Sequence, residues 1–373
     1  MQALDNAVNA DQLVNLVNLN LSGCLTNDAD VNSAVLETFL KSLENHCPHL
    51  DSLKLSDNNL GVPGASVIAA AISRYFNVHT SPPYDFNDFQ SSAWLSSIDL
   101  NNTNLGDEGL IAFIEKLDCP YHFDNLELKN NGILATGLNC LAKKISSDSR
   151  YHWMDQSDEL ESYSDYPSEN CVDLDLSDNP IGLDGVIAVG EVLHYCDQPF
   201  VDLSRCHLTT TTENINNPPN CDYYDEHTSL FKEVGSKRYQ MQGRCNVRCL
   251  TLDGNCFTAE RIHILAGFIH ICGDELQFLS INDCNITSDD LIQLIEILLD
   301  KSGIISELQS LSLCNNEIDD RGVSALMHHM PSDSLFPSLG KRHNFEYVVD
   351  LGRNPVSREM VERLEEMLYP PLW

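Results

Sequence analysis

The chain has 373 residues, of which 42% are apolar, and its 56 acidic and 22 basic side chains give a formal net charge of −34. This apolar content is sufficient for a large core, so we expect a folded protein. A negative field of this size repels nucleic acid and anionic membrane surfaces and attracts basic proteins, so we expect a protein partner and no nucleic acid.

The N-terminal residues and the cysteines predict where the protein resides. Residues 1–21 contain neither the basic region nor the apolar centre of a secretion signal, and the longest apolar stretch, residues 262–273, is too short to cross a membrane. The 14 cysteines are dispersed rather than grouped, which favours reduced thiols. We therefore predict a cytoplasmic protein without direct membrane insertion.

A short pattern recurs along the chain. In LDLSDNPIGLDG, residues 174–185, two leucines precede Asn179, and Ile181 follows it. Copies of this pattern begin, in chain order, at Leu19, Leu53, Ile98, Leu126, Leu174, Val201, Leu250, Leu279, Leu311 and Val349. The first copy is imperfect because Leu25 comes one place early. This recurrence predicts a protein built from one repeated unit.

Each copy predicts the same local structure. Alternating leucines indicate a short strand with one buried face, after which the chain must bend inside the protein with its backbone groups hydrogen-bonded. An asparagine side chain can donate to and accept from such a bend, and it can stack on the asparagines of neighbouring repeats. Cysteine or threonine can take its place more weakly, as at Cys24, Thr103, Cys206 and Cys284.

Helices are predicted after most copies. Apolar residues at spacings of three and four predict helices that include Leu110, Val186, Leu291 and Val323, with a last helix from Ser357 to Leu368. Glycines recur just after the last apolar residue of the pattern, where close packing or a special backbone angle is expected, at Gly64, Gly109, Gly137, Gly185 and Gly322. Strands alternating with helices indicate an α/β protein.

The pattern fits the template L-x-x-L-x-L-x-x-N/C-x-L, and the chain resembles leucine-rich repeat proteins of the ribonuclease-inhibitor-like class. That class also includes the Ran GTPase-activating protein and the repeat domains of NOD-like receptors. The resemblance covers about residues 13–369. It implies a right-handed α/β solenoid, or horseshoe, of about ten repeats, with a parallel sheet on the concave face and helices on the convex face. It also implies a single domain over residues 1–373.

Insertions interrupt the repeats. The interval between successive Asn, Cys or Thr positions varies from 27 to 49 residues, and the long intervals carry insertions at about residues 77–94, 146–170, 210–247 and 331–346. We expect them to emerge on one edge of the solenoid. The second combines acids with Trp153, Tyr163 and Tyr166, and it is either a docking surface for a basic partner or a solvated loop. Prolines in the third exclude a continuous helix there.

The outward positions of the strands and turns form a candidate partner-binding face. The residues predicted to lie exposed on it are Lys54, Asp57, Asp99, Asn101, Glu127, Lys129, Asp175, Asp178, Asp202, Arg205, Asp253 and Asp283. Acids outnumber bases in this set, and we expect few large aromatic side chains on the face. Either the face captures a basic protein, or its residues are ordinary solvated positions and binding uses the insertions or the chain ends.

No enzymatic motif accompanies the repeats. The chain contains no phosphate-binding loop, dinucleotide fingerprint, H-E-x-x-H or G-x-S-x-G. A zinc site around Cys221, His227, Cys245 and Cys249 is a weaker interpretation than a strand beginning at Cys249. We therefore predict no catalytic residue, no metal and no cofactor.

These observations predict a non-enzymatic scaffold or regulator that binds a basic protein partner, either alone or as a subunit of a larger assembly. The alternative from the resemblance is a GTPase-activating protein of the Ran type. Against it, the chain ends at EEMLYPPLW without the long acidic tail of that family. Inhibition of a basic ribonuclease is disfavoured because the chain lacks the regular alternation of repeat lengths in that family.

Overall fold

The described chain consists of two compact units. The first comprises Met1–Arg150 and Pro167–Asn179, and the second comprises Tyr151–Tyr166 and Pro180–Trp373. The structure, a computed structural model, describes residues 14–79, 95–117, 125–147, 173–193, 200–208, 247–257, 261–272, 276–300, 308–329 and 348–368.

The first unit alternates strands with helices. Its described elements are β1 (Asn18–Asn20), α1 (Ala29–His46), β2 (Ser52–Lys54), α2 (Gly61–His79), β3 (Ser97–Asp99), α3 (Gly106–Lys116), β4 (Asn125–Glu127), α4 (Ala135–Ser147) and β5 (Asp173–Asp175). The strands pair in parallel in chain order. Their central residues lie side by side in register: Leu19, Leu53, Ile98, Leu126 and Leu174.

The second unit continues the same alternation. Its described elements are α5 (Gly182–Leu193), β6 (Phe200–Asp202), β7 (Cys249–Thr251), α6 (Ile262–Cys272), β8 (Phe278–Ser280), α7 (Ser288–Asp300), β9 (Ser310–Ser312), α8 (Asp320–His329), β10 (Val348–Asp350) and α9 (Arg358–Leu368). Strands β6 to β10 also pair in parallel in chain order. The strands lie at the ten predicted copies, so the predicted alternation of parallel strands and helices is confirmed.

Buried aliphatic side chains form the core of each repeat. The central residue of a strand, the residue just after the strand, and one residue beyond the bend all point inward, as Ile98, Leu100 and Leu105 do with at most 3% of their surface exposed. Helices cover them with one apolar face, such as Leu36, Leu40 and Leu43 of α1. Each fully buried leucine contributes roughly 1.5–3 kcal/mol relative to an exposed one.

A ladder of asparagine side chains holds the bends together, as predicted. The Asn179 amide nitrogen donates to the backbone oxygens of Leu176 in its own repeat, at 2.9 Å, and of Leu128 in the preceding repeat, at 2.9 Å. Its oxygen accepts from the backbone N–H groups of Asn131 and Ile133. Each such residue therefore joins two consecutive repeats. Asn58, Asn131, Asn255, Asn316 and Asn354 act in the same way.

Threonine and cysteine occupy the same place with fewer bonds. The Thr103 hydroxyl oxygen lies 2.7 Å from the Leu100 oxygen and 2.9 Å from the Asn131 side-chain oxygen, and its single proton is donated to one of these two acceptors. The Cys284 thiol donates to the Leu252 oxygen at 3.3 Å. Burial raises the pKa of the Cys284 thiol to about 12, so this group stays protonated and remains a donor. In the imperfect first copy Cys24 is exposed, and its thiol lies 3.4 Å from the Ser22 oxygen.

The residue before each ladder position adopts a left-handed backbone. In all ten repeats its φ lies between 50° and 69°, at Gly23, Asp57, Asn102, Asn130, Asp178, Arg205, Gly254, Asp283, Asn315 and Arg353. Glycine accepts this conformation freely, and Asn and Asp accept it more readily than other residues. This bend sends the chain from the strand towards the helix layer.

The glycines inside the helices serve close packing rather than a special backbone angle. A Cβ on Gly137 would lie 2.8 Å from Asp107 Oδ1 of the preceding repeat, and a Cβ on Gly322 would lie 2.7 Å from Ser288 Oγ. Neither has a positive φ. Of the two roles predicted for these positions, the structure therefore supports the first.

Candidate partner-binding face

The outward residues of the first unit form a row across neighbouring strands. Lys54, Asp99, Glu127 and Asp175 end their strands and lie next to each other in register. Parallel strands lie about 4.8 Å apart, so each side chain is within reach of the next. We call Asp99, Glu127 and Asp175 the carboxylate row. It places three like charges on consecutive strands.

Asp99 is not exposed as predicted, since only 7% of its surface is accessible. Its strand lies between those of Lys54 and Glu127, and those two side chains flank it in register. Its Oδ1 accepts the backbone N–H of Asn101 at 3.0 Å. The prediction of exposure is therefore wrong at this residue, because its neighbours come from repeats distant in sequence.

Asparagines orient the central carboxylate of the row. Asn101 Nδ2 donates to Glu127 Oε2 at 2.6 Å, and Asn125 Nδ2 donates to Glu127 Oε1 at 3.1 Å. Asn101 Oδ1 in turn accepts the backbone N–H of Lys129 at 2.8 Å. Both oxygens of Glu127 are thus held by amides. The structure therefore brings Asp99, Asn101, Glu127 and Lys129 together in one network.

Lysine 129 is directed towards the turn rather than towards the carboxylate row. Its Nζ lies 3.3 Å from Asp178 Oδ2, and both side chains are partly exposed. Such a surface ion pair contributes less than about 1 kcal/mol.

The left-handed turn position holds four of the predicted site residues: Asp57, Asp178, Arg205 and Asp283. The left-handed conformation favours Asp, so it explains the three aspartates in part, but it does not explain Arg205. Neither role considered from the sequence, partner binding or an ordinary solvated position, had included this backbone requirement.

The second unit carries fewer charges on the equivalent positions. Its row reads Asp202, Thr251, Ser280, Ser312 and Asp350 in register. Asp253, just beyond β7, accepts from Ser280 Oγ at 2.7 Å and from the backbone N–H of Asn282 at 2.8 Å. The carboxylate of Asp253 is therefore held in place, as Glu127 is in the first unit.

A thiol and a carboxylate interact at the last described strands. The Cys314 thiol and the backbone N–H of Gly352 both donate to Asp350, and these bonds hold the pKa of its carboxyl below the usual range. Burial, followed by the nearby Asp350, raises the pKa of the Cys314 thiol. The pair is thus a thiol and an ionised carboxylate at neutral pH.

Two aromatic side chains on the outer face were missed by the sequence analysis. Phe200 and Phe278 open β6 and β8 and are 45% and 37% exposed. The period-two alternation of the strands would have found them, because each precedes an inward residue and therefore points outward. The expectation that the face has few large aromatics is wrong for this part of the second unit.

The predicted edge insertions fall almost entirely outside the described residues. This applies to Trp153, Tyr163 and Tyr166, and also to Cys221, His227 and Cys245 of the considered zinc site. Among the residues that the structure describes, no three His, Cys, Asp or Glu side chains are grouped so as to hold a metal ion. Within the same part of the chain, no helix is long and apolar enough to cross a membrane.

Comparison with family models supports the repeat assignment. A family model described as a leucine-rich repeat matches residues 46–69, 91–113, 172–190 and 307–327. No curated protein matches the chain. Among solved structures, the chain is similar to the leucine-rich repeat-containing protein LegL7 from Legionella pneumophila, with 13% identity, coverage of 99% of this chain and 96% of that chain, and a TM-score of 0.46.

The family matches coincide with strand, bend and helix in the structure. Residues 46–69 span β2 and its ladder residue Asn58, and residues 307–327 span β9 and Asn316. The narrower ribonuclease-inhibitor-like class stays a prediction. With ten strands at the predicted copies and ladder residues that join consecutive repeats, the chain has the leucine-rich repeat fold.

Proposed function

We propose that this protein is a non-enzymatic interaction scaffold or regulator that binds a basic protein partner through the outer face of β3, β4 and β5. Leucine-rich repeat proteins generally act as protein-interaction scaffolds. The observation that carries the proposal is the carboxylate row, in which Asp99, Glu127 and Asp175 lie on three consecutive strands. A partner that supplies Lys or Arg side chains would neutralise it.

The carboxylate row costs the free protein stability. Two unit charges about 5 Å apart repel by about 0.8 kcal/mol in water and by more where the surface lowers the dielectric constant. Like charges directly opposite on neighbouring strands are destabilising for this reason. A cationic partner would remove this repulsion on binding, and its own attraction would add to the gain.

Preorganisation supports the same proposal. Because Asn101 and Asn125 already orient the Glu127 carboxylate, little side-chain freedom is left to lose when a cation binds it. Lys129 is the nearest base in the network, and its ammonium group contacts Asp178 instead of the row. Lys54 lies beside Asp99 in register at one end of the row, so the positive charge from a partner would act on Glu127 and Asp175.

We also propose a cytoplasmic location. The thiols of Cys206 and Cys284 occupy buried ladder positions as hydrogen-bond donors, and this role requires them to stay reduced. A reducing compartment would preserve the ladder.

The protein could also be a subunit of a larger assembly. One partner could occupy the outer face of β3–β5 while others bind the second unit.

The test is affinity capture from native cell extract with two matched variants. Glu127→Gln/Asp175→Asn neutralises two charges in the row, whereas Glu365→Gln/Glu366→Gln neutralises two exposed charges on α9. We expect the wild type and the α9 variant to recover the same basic protein at low salt. The row variant should recover at least about tenfold less, and all three should lose it at high salt.

Two results would contradict the proposal. One is recovery of the partner by the row variant at the wild-type level, which would place binding elsewhere. The other is a partner that is acidic or that resists high salt. Recovery of a small GTPase whose GTP hydrolysis the protein accelerates would favour the alternative of a GTPase-activating protein.

A further inference from the structure

Phe200 and Phe278 flank a smaller side chain on the outer face of the second unit. Register places Phe200 beside Cys249, and Cys249 beside Phe278. We call these three residues the aromatic row. Cys249 is half-buried, whereas the two phenylalanines are 45% and 37% exposed. The row therefore has two large, accessible ends and a small centre.

The spacing of the strands sets the width of this feature. The two phenylalanines are two strands apart, so their backbones are separated by about 10 Å. The Cys249 side chain between them is shorter than either by a whole ring, and from these sizes we expect a shallow depression over β7. One aliphatic or aromatic side chain from outside fits such a space. Buried aromatic anchors of this kind supply most of the affinity in protein interfaces.

The repeat fold does not require aromatics at this place. In the first unit the same strand position is occupied by polar residues: Asn18, Ser52, Ser97, Asn125 and Asp173. Ser310 follows Phe278 in the second unit. Exposed phenylalanines cost hydration free energy without filling the core, because the inward residues Val201, Leu250 and Leu279 already do so. The aromatic row is therefore a local addition to the repeat.

Charges around the aromatic row select its partner. The next outward position of β6 is Asp202, roughly 7 Å along the strand from Phe200, and Asp253 lies further along the same side of β7. Arg248, on the opposite side, is bonded to Gln277 at 3.0 Å. A second copy of this chain, with its net charge of −34, would bring further acids to the face. Arg205, whose side chain lies against Gly254 next to Asp253, is a base on the carboxylate side, but Asp202 and Asp253 outnumber it, so a basic partner segment fits that side instead.

We propose that the aromatic row is a docking site for a segment of a protein partner that carries one large apolar side chain next to a Lys or Arg. The apolar side chain occupies the depression over Cys249, and the basic group faces Asp202 and Asp253. This inference deepens the proposed function, on which it rests, by giving the partner a second, apolar point of contact. It concerns the second unit alone.

The experiment selects random 12-residue peptides displayed on phage against the full chain, and then measures the affinity of the enriched peptides for variants. Phe278→Ala removes one side of the depression, and Cys249→Leu fills it while keeping both phenylalanines. Asn18→Ala in β1 is the matched control at the same strand position in the first unit, outside β3–β5. Circular dichroism verifies that each variant is folded.

We expect enriched peptides to combine a large apolar residue with an adjacent base. Phe278→Ala and Cys249→Leu should each weaken their binding at least about tenfold, as hot-spot truncations do, while Asn18→Ala leaves it unchanged. Basic peptides that keep full affinity for both variants would overturn the docking site and leave the proposed function standing. Enrichment of acidic or uncharged peptides would overturn both. A selection that enriches nothing would also overturn the docking site.

Discussion

Replacing Asn131 with alanine tests whether the asparagine ladder holds consecutive repeats together. The Asn131 oxygen accepts the backbone N–H groups of Thr103 at 3.0 Å and Leu105 at 3.2 Å, and both belong to the preceding repeat. Alanine leaves these two buried donors without an acceptor. The Asn131 amide nitrogen also donates to the Leu100 and Leu128 oxygens, but in the variant Thr103 still bonds the Leu100 oxygen and Asn179 still bonds the Leu128 oxygen.

The magnitude follows from the number of donors left unpaired. Each buried N–H without a partner costs about 1–3 kcal/mol, so Asn131→Ala should lower the free energy of unfolding by about 4 kcal/mol. Thr103 occupies the same ladder position in the neighbouring repeat and is equally buried. Thr103→Ala removes a hydroxyl and a methyl group but leaves no backbone donor unpaired, so it should cost only about 1–2 kcal/mol.

Urea unfolding followed by circular dichroism measures both values, with Asn18→Ala as an exposed control in β1. That control should change the free energy of unfolding by less than about 0.5 kcal/mol. Equal costs for Asn131→Ala and Thr103→Ala would refute the reasoning, because they would mean that the two freed N–H groups find other acceptors. A change in the urea dependence of the variant would instead indicate altered compactness.

Three further predictions concern charge, thiol chemistry and packing. Asp175→Asn should raise the free energy of unfolding by about 0.5 kcal/mol in low salt and by much less in 1 M NaCl, because it relieves repulsion from Glu127. The asparagine oxygen can still accept the Ser177 N–H. A loss of stability would contradict this prediction. Because the pKa of the Cys284 thiol is raised to about 12, the stability that the protonated thiol contributes is complete below pH 9 and is lost as the pH rises from 9 to 12. In parallel urea titrations, the wild type should therefore lose more stability over that range than Cys284→Asn. Equal losses would contradict the assignment. Gly137→Ala should lower the free energy of unfolding by about 1–3 kcal/mol, because the added Cβ meets Asp107 Oδ1, although alanine favours helices more than glycine does. A higher melting temperature for the variant would refute this packing argument.

Periodicity alone predicted the strands, the bends and most of the helices. An inward leucine pair followed by Asn is a local signal, and every described strand lies where that signal occurs. The ladder could also be predicted, because a buried bend needs an acceptor and a donor at one point. The sequence pattern that predicts each of these features lies within about a dozen consecutive residues, although the ladder bonds themselves reach the preceding repeat.

The parts of the site that escaped prediction depend on neighbours that are distant in sequence. Asp99 is buried by strands 45 and 28 residues away, as its pairing with Lys54 and Glu127 shows. The aromatic row exists only because register aligns Phe200 with Phe278 across β7. A repeat template that begins at the first inward leucine also omits the outward residue just before it, and this is where both phenylalanines lie.

The left-handed turn position has a consequence for how this chain tolerates changes of charge. Asp57, Asp178 and Asp283 occupy it, and so do Asn102, Asn130, Asn315 and two glycines. Asp and Asn differ there by one charge and hardly at all in backbone preference. Single-base exchanges between the two could therefore change the net charge of the protein stepwise while the backbone keeps its bend. The exchanges differ in cost, because Asn102 donates to Asp57 and Asn315 donates to Asp283, and an aspartate at either donor would place two carboxylates together. Colloidal stability and partner steering are thus adjustable at the bends that hold Asp or Asn, within the limits that these side-chain bonds set.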